Sequence, residues 1–186
     1  MFDEQVGDSQ PAAQALKDKL RSLNLMVYEF VQAKNFSMAR RIATASSALL
    51  ESLDGVSCDE VIWAVSNRSF ICSGEGRHTS ATRYGRRAVQ LTEDLYGRGC
   101  WQYALVLNNT GEILLEAGYL AESERYLKEC IGILEQAIEQ RSCDVSWALG
   151  TRDEALKNLG RVLRALGRQT EALELLDRIC SPKPVL

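Results

Sequence analysis

A single histidine, His78, and six cysteines, Cys58, Cys72, Cys100, Cys130, Cys143 and Cys180, are the side chains in this 186-residue sequence from which nucleophilic or metal chemistry could be assembled. A Cys–His nucleophilic pair needs a base held in line by a third group. His78 follows the turn at Gly76 among Arg77, Thr79 and Ser80, a solvated loop setting with no such group in sight. The cysteines never form C-x-x-C, and no second histidine joins them, so zinc lacks a ligand set. Cys72 and Cys130 fall on apolar helix faces and read as small reduced hydrophobes rather than as members of a disulfide framework. No phosphate-cradling glycine loop, H-E-x-x-H pair or EF-hand loop occurs, and Gly74-Glu75-Gly76 reads as a helix turn. The expectation is a protein that is not an enzyme and carries no cofactor or metal.

Charge narrows the partners. Lys and Arg total 22 against 25 Asp and Glu, a net charge of -3, which leaves no cation excess to neutralise a phosphate backbone. Nucleic acid is therefore not the expected partner. The hydrophobic fraction of 46% is that of an ordinary globular domain. The start, Met1-Phe2-Asp3-Glu4-Gln5, is acidic and lacks a basic stretch leading into an apolar run. No stretch approaches the roughly 18 consecutive apolar residues of a membrane span. A cytoplasmic protein without a membrane partner is expected.

The elements that would position any binding residues are helices. Prolines occur only at Pro11, Pro182 and Pro184, so the long interval between the first two contains no obligatory helix breaker. Leu120, Ser123, Leu127, Cys130, Ile131, Leu134 and Ile138 recur at three and four residues, as do Ala39, Ile42, Ala43, Ser46, Leu49, Leu50 and Leu53. First helices of successive pairs are predicted near 14–33, 58–74, 100–117 and 146–166, and second helices near 36–53, 79–96, 120–141 and 169–180. Aligned on the small residue that opens each second helix, the series Ala39, Ala81, Ser123, Ala172 has intervals of 42, 42 and 49. Five residues earlier stand Lys34, Gly76, Gly118 and Gly167, three of them the residue type that a left-handed helix terminus prefers. Twelve residues before the anchors lie Val27, Ser69, Gly111 and Gly160, and seven after them Ser46, Ala88, Cys130 and Ile179. The seven extra residues before the fourth repeat, around Gln140 to Trp147, either lengthen a helix or form an excursion.

The segments T-G-E-I-L-L-E-A-G-Y-L-A-E-S-E-R-Y-L (110–127) and L-G-R-V-L-R-A-L-G-R-Q-T-E-A-L-E-L-L (159–176) resemble tetratricopeptide repeats. The first two repeats are similar mainly by register, since Met26-Val27 and Arg68-Ser69 stand where the family favours Leu-Gly. A period near 42 rather than about 34 resembles the longer-helix variant of kinesin light chains. The resemblance implies an all-α fold, an α-solenoid of four antiparallel helix pairs forming a right-handed superhelix. The expected division is a flexible 1–12, a repeat domain over 13–180 with repeats near 14–53, 58–97, 100–141 and 146–180, and a tail at 181–186.

The resemblance also implies a non-catalytic scaffold whose first helices line a concave groove for a peptide or protein segment. Two residues before the mid-helix small residue stand Asn67, Asn109 and Asn158, with Asn24 one position further back, amides suited to pairing with an extended ligand's main chain. Tyr28, Trp63 and Phe70 could offer apolar pockets, or else pack between repeats; Trp101 and Trp147, near helix starts, read as packing. Lys157, Arg161 and Arg164 form a basic row that could receive an acidic ligand, although Glu154 and Glu112 stand ready to pair with it. The chaperone-tail-binding version of the family holds a terminal carboxylate with cations on successive first helices. Here Asn24 with Tyr28, then Asn67, then Leu105 with Asn109 occupy those places, so that specificity is not implied. The alternatives are a self-assembling homo-oligomer joined through the C-terminal helix, where Leu173, Leu176 and Ile179 lack a polar cap, and a peptide-sensing regulatory domain.

Overall fold

Each helix pair is set by the residue that ends its first helix. The computed structural model describes residues 9–52 and 58–180, and the side chains of 13–52 and 58–175; among these residues there are helices and no strand. The helices are α1 (Ser9–Gln32), α2 (Phe36–Ala45), α3 (Ser47–Ser52), α4 (Asp59–Gly74), α5 (His78–Tyr96), α6 (Trp101–Glu116), α7 (Leu120–Glu139), α8 (Val145–Ala165) and α9 (Gln169–Cys180). After α1, α4, α6 and α8 comes one residue with positive φ: Lys34 at 55°, Gly76 at 73°, Gly118 at 80° and Gly167 at 79°. Glycine takes that conformation without a Cβ penalty, which explains three of the four choices. The hydrogen bonds around these residues are the same four times over. Gly118 N–H donates to Leu115 O and Tyr119 N–H to Leu114 O, and the equivalent pairs recur at Lys34, Gly76 and Gly167. This pair of bonds is the Schellman ending, and it reverses the chain so that the second helix lies antiparallel on the first.

Small residues then let the two helices of a pair close. Ala39, Ala81, Ser123 and Ala172, the anchors of the sequence register, are all buried. In the third repeat the Ser123 hydroxyl donates to Gly111 O at 2.6 Å, and a Cβ built on Gly111 would stand 2.8 Å from Leu127 Cγ. The main core runs through repeats two to four and includes Leu107, Leu114, Leu127, Leu134, Leu156 and Val162. The first repeat packs on the second through a separate small cluster of Val27, Ala39 and Ala43 with Ile71 of α4. Such stacking of pairs, each burying its neighbour's apolar face, is the solenoid arrangement.

Two boundaries differ from the sequence expectation, and one open alternative is decided. Helix α1 begins at Ser9 rather than near 14, so residues 9–12, expected to be flexible, are helical; residues 1–8 lie outside the described residues. Pro11 sits in the first turn, where a missing N–H forfeits no helical bond. The second helix of the first repeat is not continuous over 36–53. It breaks at Ser46, whose hydroxyl donates back to Ala43 O at 2.9 Å, while Leu53 falls outside the described residues. The extra residues before the fourth repeat lengthen a first helix: α8 has 21 residues against 16 in α6, and it opens on Asp144, whose carboxylate caps Trp147 N–H at 2.7 Å.

Replacing Gly111 by alanine forces Leu127 out of place. Gly111→Ala is expected to destabilise the fold by about 1–3 kcal/mol in urea unfolding, the usual range for an over-packed contact; an unchanged midpoint would show that the contact can relax.

Candidate functional site

The asparagine series is where structure and sequence expectation part. Asn24 and Asn67 are each 2% exposed and Asn158 4%, and all three are turned between neighbouring first helices instead of toward a ligand. Asn24 Nδ2 donates to Glu60 O at 2.8 Å, and Asn67 Nδ2 donates to Asn24 O at 3.1 Å, so two amides clasp α1 to α4. Asn158 Nδ2 donates to Asn108 Oδ1 at 3.4 Å, and its own Oδ1 accepts from Arg161 at 3.0 Å, linking α6 to α8. The expectation of ligand contact is therefore corrected for Asn24, Asn67 and Asn158. A buried amide must find partners, and the nearest are on the adjoining repeat. Asn108, which the sequence register passed over, is the buried partner, whereas Asn109 is only half-buried. The register signal was present: Asn24 and Asn108 both stand three residues before the mid-helix small residue.

The face that remains open on the first helices is built from other residues. Leu25, Tyr28 and Gln32 descend α1 at helical spacing and are exposed; Phe70 and Ser73 follow on α4; Asn109, Glu112 and Glu116 on α6; Lys157 and Arg161 on α8. A cleft of about 230 Å³ opens where the C-terminal ends of α1, α4 and α6 meet. Val31, Phe36, Phe70 and Ile113 give it apolar walls, Glu112 and Glu116 give it carboxylates, and Lys34 stands on its rim. Phe70 also packs against the cluster of Cys72, Ala81 and Ile113, the packing between repeats that was one of its two expected roles. Trp63 is half-buried and does not line the cleft. Trp101 and Trp147 form an edge-to-face pair with centroids 5.0 Å apart, a contact between the third and fourth repeats.

Electrostatics concentrate on Glu112. Burial, with Glu116 one turn away, pushes its carboxyl above the usual carboxylate range, while Arg161 pulls in the opposite direction. Arg161 Nη1 lies 3.3 Å from Glu112 Oε1, so the basic row of α8 is partly paired, as the neighbouring acid suggested. Arg164 donates to Gly160 O at 3.2 Å, and Lys157 is exposed. Glu116 accepts from Ser73, joining α6 to α4 at the cleft. His78 is the exposed first residue of α5.

The tetratricopeptide repeat family matches residues 154–181. Among solved structures, a Podosopora anserina protein assigned as a kinesin light chain, with nearly identical TPR-like repeats, aligns with TM-score 0.58 and 14% identity, covering 88% of this chain and 94% of that one. A point variant of that protein gives the same values. BtubC (BKLC) from P. vanneervenii aligns with TM-score 0.51 and 14% identity over 94% of this chain and 92% of its own. At that identity the likeness is one of fold. No curated protein matches the sequence.

Two measurements separate clasp from groove. Asn67→Ala is expected to lower stability by about 1–3 kcal/mol in chemical unfolding, because it removes a buried bond to Asn24 O, while Asn109→Ala shifts it by no more than about 0.5 kcal/mol. Glu112 has a raised native pKa, so the native state holds its proton more tightly than the unfolded chain; its charged form costs stability above that pKa, and the cost disappears as pH falls below the usual carboxylate range. Glu112→Gln is accordingly expected to be at least as stable as wild type at neutral pH, with the difference vanishing toward about pH 4.

Proposed function

We propose that this tetratricopeptide-type helical array is a non-catalytic scaffold that holds a segment of another protein along the concave groove of its first helices. The observation that carries this reading is the cleft between α1, α4 and α6, which three successive repeats build together and which no single repeat could form. Its apolar walls and two carboxylates suit a ligand side chain with an aliphatic stem and a cationic head, a lysine or arginine of the bound segment. Tyr28, one turn before Val31, and Asn109, one turn before Ile113, extend the same surface along the helices. Beyond the cleft, Lys157 and Arg161 change the sign of charge, so the groove would read a segment whose cationic residue is followed by acidic ones. Helix-lined hydrophobic grooves commonly place affinity in a few anchoring pockets, and this cleft is the anchor proposed here.

Selection of binding peptides from a random display library, followed by affinity measurement against variants, tests the reading. Enriched peptides are expected to carry Lys or Arg and to bind Tyr28→Ala with Glu116→Gln at least about tenfold more weakly, a loss of roughly 1.4 kcal/mol. Both positions are exposed, so the fold should be undisturbed. Peptides indifferent to these changes would place the site elsewhere.

A second reading is favoured by Leu173, which is 63% exposed on α9. Self-association through this last helix would cover it. Light scattering then gives a dimer mass for wild type and a monomer mass for Leu173→Glu; a monomer in both removes this reading. Leu176 and Ile179, expected on the same face, have side chains outside those described.

A further inference from the structure

Between the second helices of the first two repeats lies a hollow of about 180 Å³ whose lining is basic in a chain that is acidic as a whole. Arg40 from α2, Arg68 from α4 and Arg77 at the start of α5 line it, together with Thr44, Ser47 and Tyr84. One carboxylate, Glu75, serves two of the three guanidiniums. Its Oε1 lies 3.4 Å from Arg40 Nε, and its Oε2 accepts from Arg77 Nε at 2.8 Å and from Arg77 Nη2. Among the described residues Arg68 pairs only with neutral acceptors, Ala43 O at 3.2 Å and the Ser47 hydroxyl at 2.9 Å, both through Nη2. Those acceptors exist because the second helix breaks at Ser46, so the break fixes a guanidinium whose Nε and Nη1 remain to donate. Arg40 keeps both Nη groups and Arg77 keeps Nη1, since their bonds to Glu75 use other atoms. Among the described residues, three positive groups against one negative group leave the hollow cationic, and Arg83, 5.3 Å over the ring of the lining Tyr84, adds charge beside it.

We infer that this hollow is an anion site that receives the phosphate group of a phosphorylated serine or threonine on a partner protein. Donors from three directions match three phosphate oxygens better than the two of a carboxylate, and a phosphate carries about -1.5 to -2 charge. The planar fork of arginine, partly immobilised beforehand as Arg68 is, suits this task better than a mobile lysine. Nucleic acid is disfavoured because the hollow is isolated in a chain of net charge -3, without a basic track of successive sites. The site lies apart from the cleft proposed for peptide binding, shares no lining residue with it, and stands or falls independently.

The test is titration with a capped glycine–phosphoserine–glycine tripeptide, followed by backbone amide NMR shifts. Saturable shifts at Thr44, Ser47 and Tyr84 are expected with the phosphorylated peptide and not with its serine counterpart. In Arg40→Gln with Arg77→Gln the dissociation constant should rise at least about tenfold, with helical circular dichroism unchanged, because both side chains are exposed and Arg68 keeps its place. Arg68→Lys, which preserves the charge but loses the fork, should weaken binding as well. The inference is overturned if the peptide shifts no amide beyond what chloride does at matched ionic strength, or if the double variant binds equally well. It is also overturned if inorganic phosphate binds as tightly as the peptide, or if vesicles containing a phosphatidylinositol phosphate bind more tightly, since either result removes the protein partner.

Discussion

A left-handed residue closed by two crossed backbone hydrogen bonds governs the whole molecule. Wherever Lys34, Gly76, Gly118 or Gly167 takes positive φ, the preceding helix loses its free carbonyls to the following two amides, and the chain has one direction in which to continue. Five residues later a small side chain must face the helix just left, because the turn has brought the two axes too close for anything larger. Turn and anchor are therefore one constraint. Repeating it four times produces a stack, and the remaining apolar residues fill the spaces it leaves.

What joins one repeat to the next is chemically different. The clasps of Asn24 with Asn67 and of Asn108 with Asn158 connect the first repeat to the second and the third to the fourth. At the second–third junction the buried Thr110 hydroxyl donates to Gly85 O at 3.3 Å, and Ser73 pairs with Glu116 at the surface. Along the second helices, Arg86 meets Glu122 at 2.6 Å and Arg168 meets Glu124 at 2.8 Å, part-buried pairs that join neighbouring repeats. Asparagine amides thus clasp the first and last junctions, while a threonine, an ion pair and the continuous core hold the middle one. The proposed peptide cleft spans the first two junctions.

The fold was legible because its determinants are local. Positive-φ glycines, small anchors and an apolar period of three and four are all visible without coordinates, and they place the four pairs. The candidate site was harder. An asparagine recurring on the helix face suggested a polar groove, yet the same residue type satisfies a buried carbonyl on a neighbouring helix equally well. Only the distance to Glu60 O or Asn24 O decides between the two. Periodicity also gave no sign that the helix would break at Ser46, since apolar residues continue through Leu49 and Leu50; there a guanidinium arriving from α4 takes the Ala43 carbonyl, a contact between residues 25 apart in sequence.

The detached cluster under the first repeat has a mechanical meaning. Val27, Ala39, Ala43 and Ile71 form a smaller cluster than the continuous core beyond them, so less apolar packing resists the opening of the first pair. Its opening would orphan the Asn67 amide and the carbonyl it serves, so that pair leaves as a unit instead of fraying turn by turn. A pull on the first helix of such an array would be met by a short plateau followed by a stiffer remainder, as in a zipper whose first teeth are shallow.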